Sequence, residues 1–534
     1  MPDLRLLLAE PSEAERAAID AVLGPEPASD GRVARSDRTR RHLLLPALRA
    51  AQRRAGWVSE GALAYATRRL EVPPADAYGV ASFYALLALE ERPADVTHVC
   101  TDLTCTLKGA TVPPGALPSP CLGLCELAPA ALRTIAGEEP REVQLPERRD
   151  PLPQRDGLRL LRRIAAGVDP GSLDAYRASG GYRALARAHE LGSEGVVAAI
   201  ADAGLRGRGG AAFPAAAKWQ AVARQPARPH YLVCNGDESE PGTFKDRVLM
   251  EQDPFALVEA MTIAAYAAGC EHGYVYVRAE YPVAHARLED ALAQARAAGL
   301  LGDGFDIELR IGAGAYVCGE ETALFQSLEG YRGEPRNKPP FPVEVGLFGK
   351  PTVVNNVETL VNVPAILNGE TAETRLFCVS GDVGRPGLYE LELGTPLRDL
   401  LDLAEAEPPQ AVLLGGAAGS FLGPDQLDLR LDFEVSLGSG VVMVFGSGAD
   451  LVAALLRIAE FFRDESCGQC VPCRVGTVRQ EEALHRLASG RANGNELEVL
   501  ADLAEVMRDA SICGLGQTAA SAVQSAIENL GVLA

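Results

Sequence analysis

Three cysteines at strict three-residue steps constrain this chain more than any other feature. They are Cys467, Cys470 and Cys473, in Glu465-Ser-Cys-Gly-Gln-Cys-Val-Pro-Cys-Arg-Val-Gly-Thr477. A fourth, Cys513, returns inside Ser511-Ile-Cys-Gly-Leu-Gly516. Three thiolates at that pitch converge on one corner of a compact inorganic core, and a distant fourth closes it, as in a cubane [4Fe–4S] cluster. Zinc, with four tetrahedral ligands usually arriving as two separated pairs, suits this spacing less well. Four unrelated core cysteines are the bland alternative; the Gly and Pro that bend the backbone around the thiols weigh against it. Everything upstream is then read as a source or conduit of electrons.

A chain of 534 residues is long enough for about three to five domains of roughly 150 residues each. No apolar run reaches the roughly 18 residues of a membrane span, and the acidic N-terminus lacks a signal-peptide core. A cytoplasmic chain is expected. The net charge of −21, with 51 basic and 72 acidic residues, comes without an opposing Lys/Arg block, which argues against a nucleic-acid footprint. Twelve cysteines in such a chain point to metal or redox chemistry rather than a disulfide framework. Cys234, Cys270, Cys318 and Cys378 are scattered among apolar neighbours and read as small core residues.

Residues 1–36 read as a tail, with two short helical patterns broken at Gly24-Pro-Glu-Pro27. Residues 37–92 carry apolar positions at helical spacing, divided at Gly56 and Pro73-Pro74 into about three helices of a small bundle. In residues 93–145 a strand, Val96–Cys100, runs into Cys100-Thr-Asp-Leu-Thr-Cys105, and Cys121-Leu-Gly-Leu-Cys125 follows. Two pairs of thiolates supply the two ligands per iron of a [2Fe–2S] cluster. This part, bundle included, resembles the small thioredoxin-like subunit of the NADH-dehydrogenase module of respiratory complex I. In that family a helix and a strand separate the cysteine pairs. Here Thr106 to Pro120, with four prolines, leave no room for both, so a truncated thioredoxin-like domain is expected. A relic that only packs against partners is the alternative. Residues 146–174 form an acidic, Pro-rich linker.

The stretch Gly204-Leu-Arg-Gly-Arg-Gly-Gly-Ala-Ala-Phe-Pro214 precedes Lys218-Trp219. Glycines let backbone N–H groups approach a phosphate or planar ring, and a following helix N-terminus and lysine add positive potential. Alone this is an ordinary glycine-rich loop, and it is not the G-x-G-x-x-G of a dinucleotide fold. Three further segments are dense in polar groups that a packed core would leave unpaired. They are Tyr231 to Arg247, Ile311 to Thr322, and Lys338-Pro-Pro-Phe-Pro342 leading to Gly346 to Thr359.

In order and spelling, these segments and the C-terminal cysteines are similar to the flavoprotein subunit of the same NADH-dehydrogenase module, over roughly residues 175–534. The resemblance implies a multidomain α/β chain. Its parts would be a Rossmann-like FMN/NAD-binding domain over 175–373, a β-grasp domain over 374–447 and a C-terminal four-helix-type bundle with the cluster over 448–534. It implies FMN against Gly207, Arg208, Gly209, Gly210 and Lys218, with Asn235, Asp237, Glu238 and Ser239 along the ring and ribityl side. Asn355 and Asn356 would hold the phosphate end. NAD(H) would stack near Phe213 and touch Glu240, Glu320, Glu321, Lys338 and Phe341, with Tyr316 and Gly319 completing the site. Glu238 and Glu321 would discourage the extra phosphate of NADPH. The chain departs from the family at Ala212 and at Ala215-Ala216, where a glycine and Thr-Gly are usual.

A nicotinamide gives up two electrons as a hydride and an iron–sulfur cluster takes one at a time; a flavin between them converts one into the other. No acid, base or nucleophile is required, and no Ser-His-Asp or Cys-His constellation stands out. The joining of thioredoxin-like and flavin parts in one chain looks like the beta subunit of soluble NAD-dependent formate dehydrogenases. The diaphorase subunit of NAD-reducing hydrogenases is close behind, and complex I subunits come next. The resemblance implies electrons from a molybdenum- or tungsten-containing, molybdopterin-type alpha subunit to NAD⁺. A non-enzymatic, metal-stabilised scaffold is the competing class.

Overall fold

The computed structural model describes residues 9–24, 37–146, 150–492 and 494–533. Part of the segment read as a tail is a helix, α1 (Glu13–Leu23). Ser12 caps it, and Glu15 reaches back to the Ser12 N–H at 2.8 Å, the reciprocal pairing of a capping box. Ile19 and Leu23 are buried against α2 (Leu44–Ala55), and α3 (Glu60–Leu70) and α4 (Pro74–Ala81) complete the bundle. The bundle is thus one helix larger than its periodicity suggested.

The next sheet has the order β2-β1-β3-β4, from β1 (Asp95–Cys100), β2 (Leu117–Ser119), β3 (Ala131–Ile135) and β4 (Arg141–Leu145), with β1 and β2 parallel and the rest antiparallel. Between β1 and β2 lies α5 (Leu103–Leu107). The space between the cysteine pairs, read as too short for both a helix and a strand, holds only the three-residue β2 and the last two residues of α5, a helix that itself carries Cys105. The prolines confine β2 to three residues at the sheet edge, where a missing N–H costs least.

Short helices α6 (Arg162–Ala165) and α7 (Leu173–Ala178) lead into α8 (Arg183–Asp202). The central domain follows: α9 (Ala215–Ala223), β5 (Tyr231–Gly236), α10 (Lys245–Gln252), α11 (Pro254–Ala268), β6 (His272–Val277), α12 (Pro282–Ala297), β7 (Asp306–Ile311), α13 (Glu321–Leu328), β8 (Thr352–Asn356) and α14 (Val357–Leu367). Its four strands are all parallel in the order β7-β6-β5-β8. Each strand pairs with its predecessor until β8, which returns to the other side of β5. That reversal opens a crevice at the carboxyl ends of β5 and β8, where open α/β sheets bind ligands. α11 is buried almost all round, as expected of a helix covering a parallel sheet.

A five-stranded sheet of order β10-β9-β13-β11-β12 comes next, from β9 (Thr374–Gly381), β10 (Gly387–Glu392), β11 (Ala411–Leu414), β12 (Ser420–Leu422) and β13 (Val441–Phe445), with α15 (Leu397–Leu403) packed on it. The β9–β10 hairpin and the parallel β9–β13 pairing give the expected β-grasp arrangement. The chain ends in α16 (Leu451–Glu465), α17 (Val471–Ala488), α18 (Glu496–Ala510), the short α19 (Gly514–Thr518) and α20 (Ser521–Leu530). The four longer helices pack as a bundle with the cysteine loops at one end. Among the described residues, no helix is long and apolar enough to cross a membrane.

Candidate functional site between two cysteine groups

The switch between β5 and β8 brings the polar segments together. Asn235 and Asn356 are register partners at the carboxyl ends of the two strands. The loop Gly207–Gly210 lies over this end: a methyl on Gly209 would sit 3.2 Å from Asn356 Cβ, and Gly210 has φ +119°, conformational space that glycine alone enters cheaply. Asn235 Nδ2 donates to Gly319 O at 2.8 Å, which draws the segment after β7 over the loop after β5. Lys218 Nζ reaches Glu321 Oε2 at 3.1 Å. Lys338 Nζ grips both Glu320 (2.9 Å) and Glu321 (2.8 Å). Burial opposes the Glu321 charge, but the Lys218 and Lys338 cations outweigh it and hold the carboxyl below its usual range. Phe213 and Phe341 are each 52% exposed, two aromatic faces left open beside this rim.

Several expected contact residues face inward. The Glu238 carboxylate accepts from Thr243 Oγ1 (2.9 Å), the Asp246 and Arg247 N–H groups (2.8 Å each) and Tyr281 Oη (3.2 Å). It acts as a cap for α10, and burial raises its carboxyl to about 7. Glu238 thus faces the start of α10, while Glu320 and Glu321 stand at the rim paired with Lys218 and Lys338. The Arg208 side chain runs away from the loop to Ala372 O (2.8 Å) and lies over the Phe433 ring. Asn355 Oδ1 accepts from Trp219 Nε1 at 2.8 Å. Asn356 Nδ2 donates to Asp246 at 2.6 Å, and Asp246 pairs with the fully buried Lys245 at 2.7 Å.

The site has unfilled hydrogen-bonding capacity that suits a flavin nucleotide. Asp237 Oδ2 is buried without a partner, and burial holds that carboxyl well above its usual range. An N–H donor on a bound ring would satisfy it. Arg208 Nε and Nη1 are also buried without partners, on the side of the glycine loop that faces Ala372.

The crevice lies between the two cysteine groups. On one side Cys100, Cys105, Cys121 and Cys125 are all buried, with Cys121 and Cys125 sulfurs 3.5 Å apart. Hydrogen bonds from Cys100 and Cys125 hold the Cys121 thiol well below its usual range. On the other side, Cys470 immediately precedes α17 and Cys513 immediately precedes α19, where the Leu515 and Gly516 N–H groups reach the Cys513 sulfur. Burial raises Cys473 to about 12 and Cys513 to about 11, so ligation there must displace protons. Gly516 is required by space, because a Cβ would lie 2.9 Å from Cys473 Cβ and 2.4 Å from Ser511 Oγ. Among the described residues no three His, Cys, Asp or Glu side chains close on a single metal ion; the two groups of four thiols fit polynuclear clusters, in which ligands are shared among several irons.

Sequence reasoning passed over the residues that lock these parts together. Glu465 accepts the Tyr316 N–H at 2.8 Å, fixing the α16 end to the segment after β7. Arg457 on α16 reaches Asp102, beside Cys100, at 3.5 Å. Arg278 and Tyr281 follow β6 and touch both Glu238 and the Cys121–Cys125 loop. The signal available for the last two was position: they follow a strand's carboxyl end in a parallel sheet.

Comparison with known proteins agrees with this geometry. Family models match residues 200–365 (Nuo51 FMN-binding domain) and 453–531 (NADH-ubiquinone oxidoreductase-F iron-sulfur binding region). Others match 31–112 (thioredoxin-like [2Fe-2S] ferredoxin) and 376–404 (SLBB domain). The third match includes Cys100 and Cys105 and ends before Cys121. The F subunit of NADH-quinone oxidoreductase from Aquifex aeolicus is 42% identical over 70% of this chain and 92% of its own. The NADP-reducing hydrogenase subunit HndC of Solidesulfovibrio fructosivorans is 41% identical over 70% and 82%. A chain of an NAD⁺-reducing [NiFe]-hydrogenase in the H2-reduced state superposes with a TM-score of 0.79 at 34% identity, covering 92% of both chains. The chain belongs to the family of FMN- and NADH-binding subunits of NADH-quinone oxidoreductase, with thioredoxin-like [2Fe–2S] and C-terminal [4Fe–4S] domains joined to it.

Proposed function

We propose that this chain is the diaphorase subunit of a soluble complex. It exchanges hydride with NAD(H) at the β5–β8 crevice and single electrons with a donor subunit, in the physiological direction of NAD⁺ reduction. The observation that carries the reading is the placement of one crevice between two cysteine groups, tied to the first by Arg278 and to the second by Tyr316 and Glu465. When bound, FMN supplies the conversion between two-electron and one-electron transfer.

The chain's own residues supply position and electrostatics. Gly207–Gly210 and Asn356 cradle the flavin's phosphate end, and Asp237 and Asn235 face its ring. Phe213 and Phe341 flank the nicotinamide nucleotide, while Lys338 orients Glu320 and Glu321 towards its ribose. Ser239, Glu240, Tyr316 and Gly319 close the site above the ring. Cys467, Cys470, Cys473 and Cys513 hold the [4Fe–4S] cluster. Cys100, Cys105, Cys121 and Cys125 hold the [2Fe–2S] cluster.

The favoured donor is a formate-oxidising, molybdenum- or tungsten-containing alpha subunit, supported by the fusion of the thioredoxin-like and flavin parts. A hydrogenase donor is the second reading, favoured by the whole-chain likeness to an NAD⁺-reducing [NiFe]-hydrogenase, against about two thirds of the chain for the quinone-oxidoreductase relatives. Native complex isolated through this chain should reduce NAD⁺ anaerobically with formate. Reduction with hydrogen alone would move the assignment to the second reading. Failure with both donors alongside NADH:quinone activity would overturn NAD⁺ reduction as the direction.

A further inference from the structure

Two buried arginines hold the Cys121–Cys125 loop against the flavin-site domain, and neither is needed for hydride exchange. Arg278 spans two backbones: Nη1 donates to Glu238 O at 2.8 Å and Nη2 to Cys121 O at 2.6 Å. Arg247 Nε donates to Gly123 O at 2.8 Å. Tyr281 fills the remaining space, since a Cβ on Gly123 would lie 2.2 Å from its hydroxyl. Both guanidiniums are almost wholly buried, Arg278 at 4% and Arg247 at 2% side-chain exposure.

The two differ in their charged neighbours. Arg247 pairs with Glu251 (3.0 Å) and with Glu126, so carboxylates outnumber it and its part is that of a clamp. Arg278 pairs with one carboxylate, Glu280, at 2.8 Å, and Glu280 Oε2 is buried with no hydrogen bond. This cation and anion stand beside a cluster ligand, with buried Asp102 and its partner Arg457 as a further pair near Cys121, in a water-poor interior where charges act strongly on one another.

We propose that Arg278 is a positioning residue that sets the reduction potential of the cluster held by Cys100, Cys105, Cys121 and Cys125, with Glu280 acting in the opposite sense, a role that rests on those cysteines holding a [2Fe–2S] cluster. One-electron reduction adds one negative charge to the cluster and transfers no atom. A buried cation stabilises that charge and raises the potential; a buried anion lowers it. The same guanidinium ties the Cys121 peptide to the Glu238 peptide, so charge and distance to the flavin loop are fixed by one side chain.

The test is a redox titration of the purified full-length chain, followed by the electron paramagnetic resonance of the [2Fe–2S] cluster. Arg278→Gln should favour the oxidised cluster at least tenfold, a fall of about 59 mV for a one-electron couple. Arg278→Lys, which keeps the charge, should shift it less, and Glu280→Gln should shift it upward. The [4Fe–4S] signal serves as internal control and should keep its midpoint. A merely structural clamp would lower signal intensity without moving the midpoint, or move it the same way in both charge variants, and either result overturns the proposal. If Arg278→Gln assembles no cluster, Glu280→Gln decides alone: a higher midpoint supports the role and an unchanged or lower one refutes it. A parent chain with iron at Cys467–Cys513 but no [2Fe–2S] signal would refute the cluster reading beneath the proposal.

Discussion

Tyr316 Oη donates to the Glu240 carboxylate at 2.5 Å, joining the segment after β7 to the loop after β5. The Ala418 N–H, from the β-grasp domain, also donates to that carboxylate at 2.9 Å. One side chain thereby gathers three parts of the chain at the crevice.

Tyr316→Phe is expected to destabilise the protein by about 1.5–3 kcal/mol where Glu240 is ionised, the range for a hydrogen bond to a charged group. Burial raises the Glu240 carboxyl to about 7 in the folded state. A raised carboxyl favours folding at low pH, and that contribution is lost as pH climbs from the ordinary carboxylate range through about 7. The tyrosine bond favours the ionised form, so its removal should cost more at pH 8.5 than at pH 6. Urea unfolding at both values checks this; equal losses would contradict it.

Ala212 has φ +50°, a left-handed conformation that costs a residue with a Cβ about 1–2 kcal/mol. Glycine would remove that strain beside the cradle formed by Gly209 and Asn356. Ala212→Gly is expected to stabilise the folded chain, by up to about 1 kcal/mol once glycine's extra unfolded-state entropy is set against the relieved strain, in urea unfolding. A loss of stability would show that the alanine methyl makes a contact that matters more than the strain.

Gly516→Ala puts a methyl into the space held by Ser511 Oγ and Cys473 Cβ. Overpacking of this kind costs about 1–3 kcal/mol, and the atom that must give way carries a cluster ligand. Iron analysis should show loss of about four irons per chain with FMN retained. Full iron content with unchanged spectra would mean that the α19 turn relaxes without disturbing Cys473.

Much of the site was legible because it is local. Cysteine spacing, glycine loops and strand-to-loop transitions survive in a linear reading, and the structure brings Asn235 beside Asn356 and Gly319, and Lys338 onto Glu320 and Glu321. Side-chain direction did not survive. Glu238 sits in the middle of a polar loop, yet it turns inward because four donors, two of them backbone N–H groups starting α10, await it there. Arg208 shares its loop with exposed glycines but points at Ala372 O. Helix α1 was legible as a short helical pattern but not as part of the bundle, since a helix of 11 residues is marginal alone and forms here by burying Ile19 and Leu23 on α2. Contacts between remote segments, such as Arg457 with Asp102 or Glu465 with Tyr316, leave no mark in spacing at all.

An anaerobic NADH titration of the purified chain, with flavin absorbance and low-temperature paramagnetic resonance recorded on the same samples, tests the central claim most directly. NADH should bleach the flavin and bring up the reduced [4Fe–4S] signal in the same chain. Cys513→Ser should still bleach its flavin with NADH while that signal is lost. A flavin that stays oxidised in excess NADH, or a [4Fe–4S] signal that appears at full intensity without Cys513, would contradict the account.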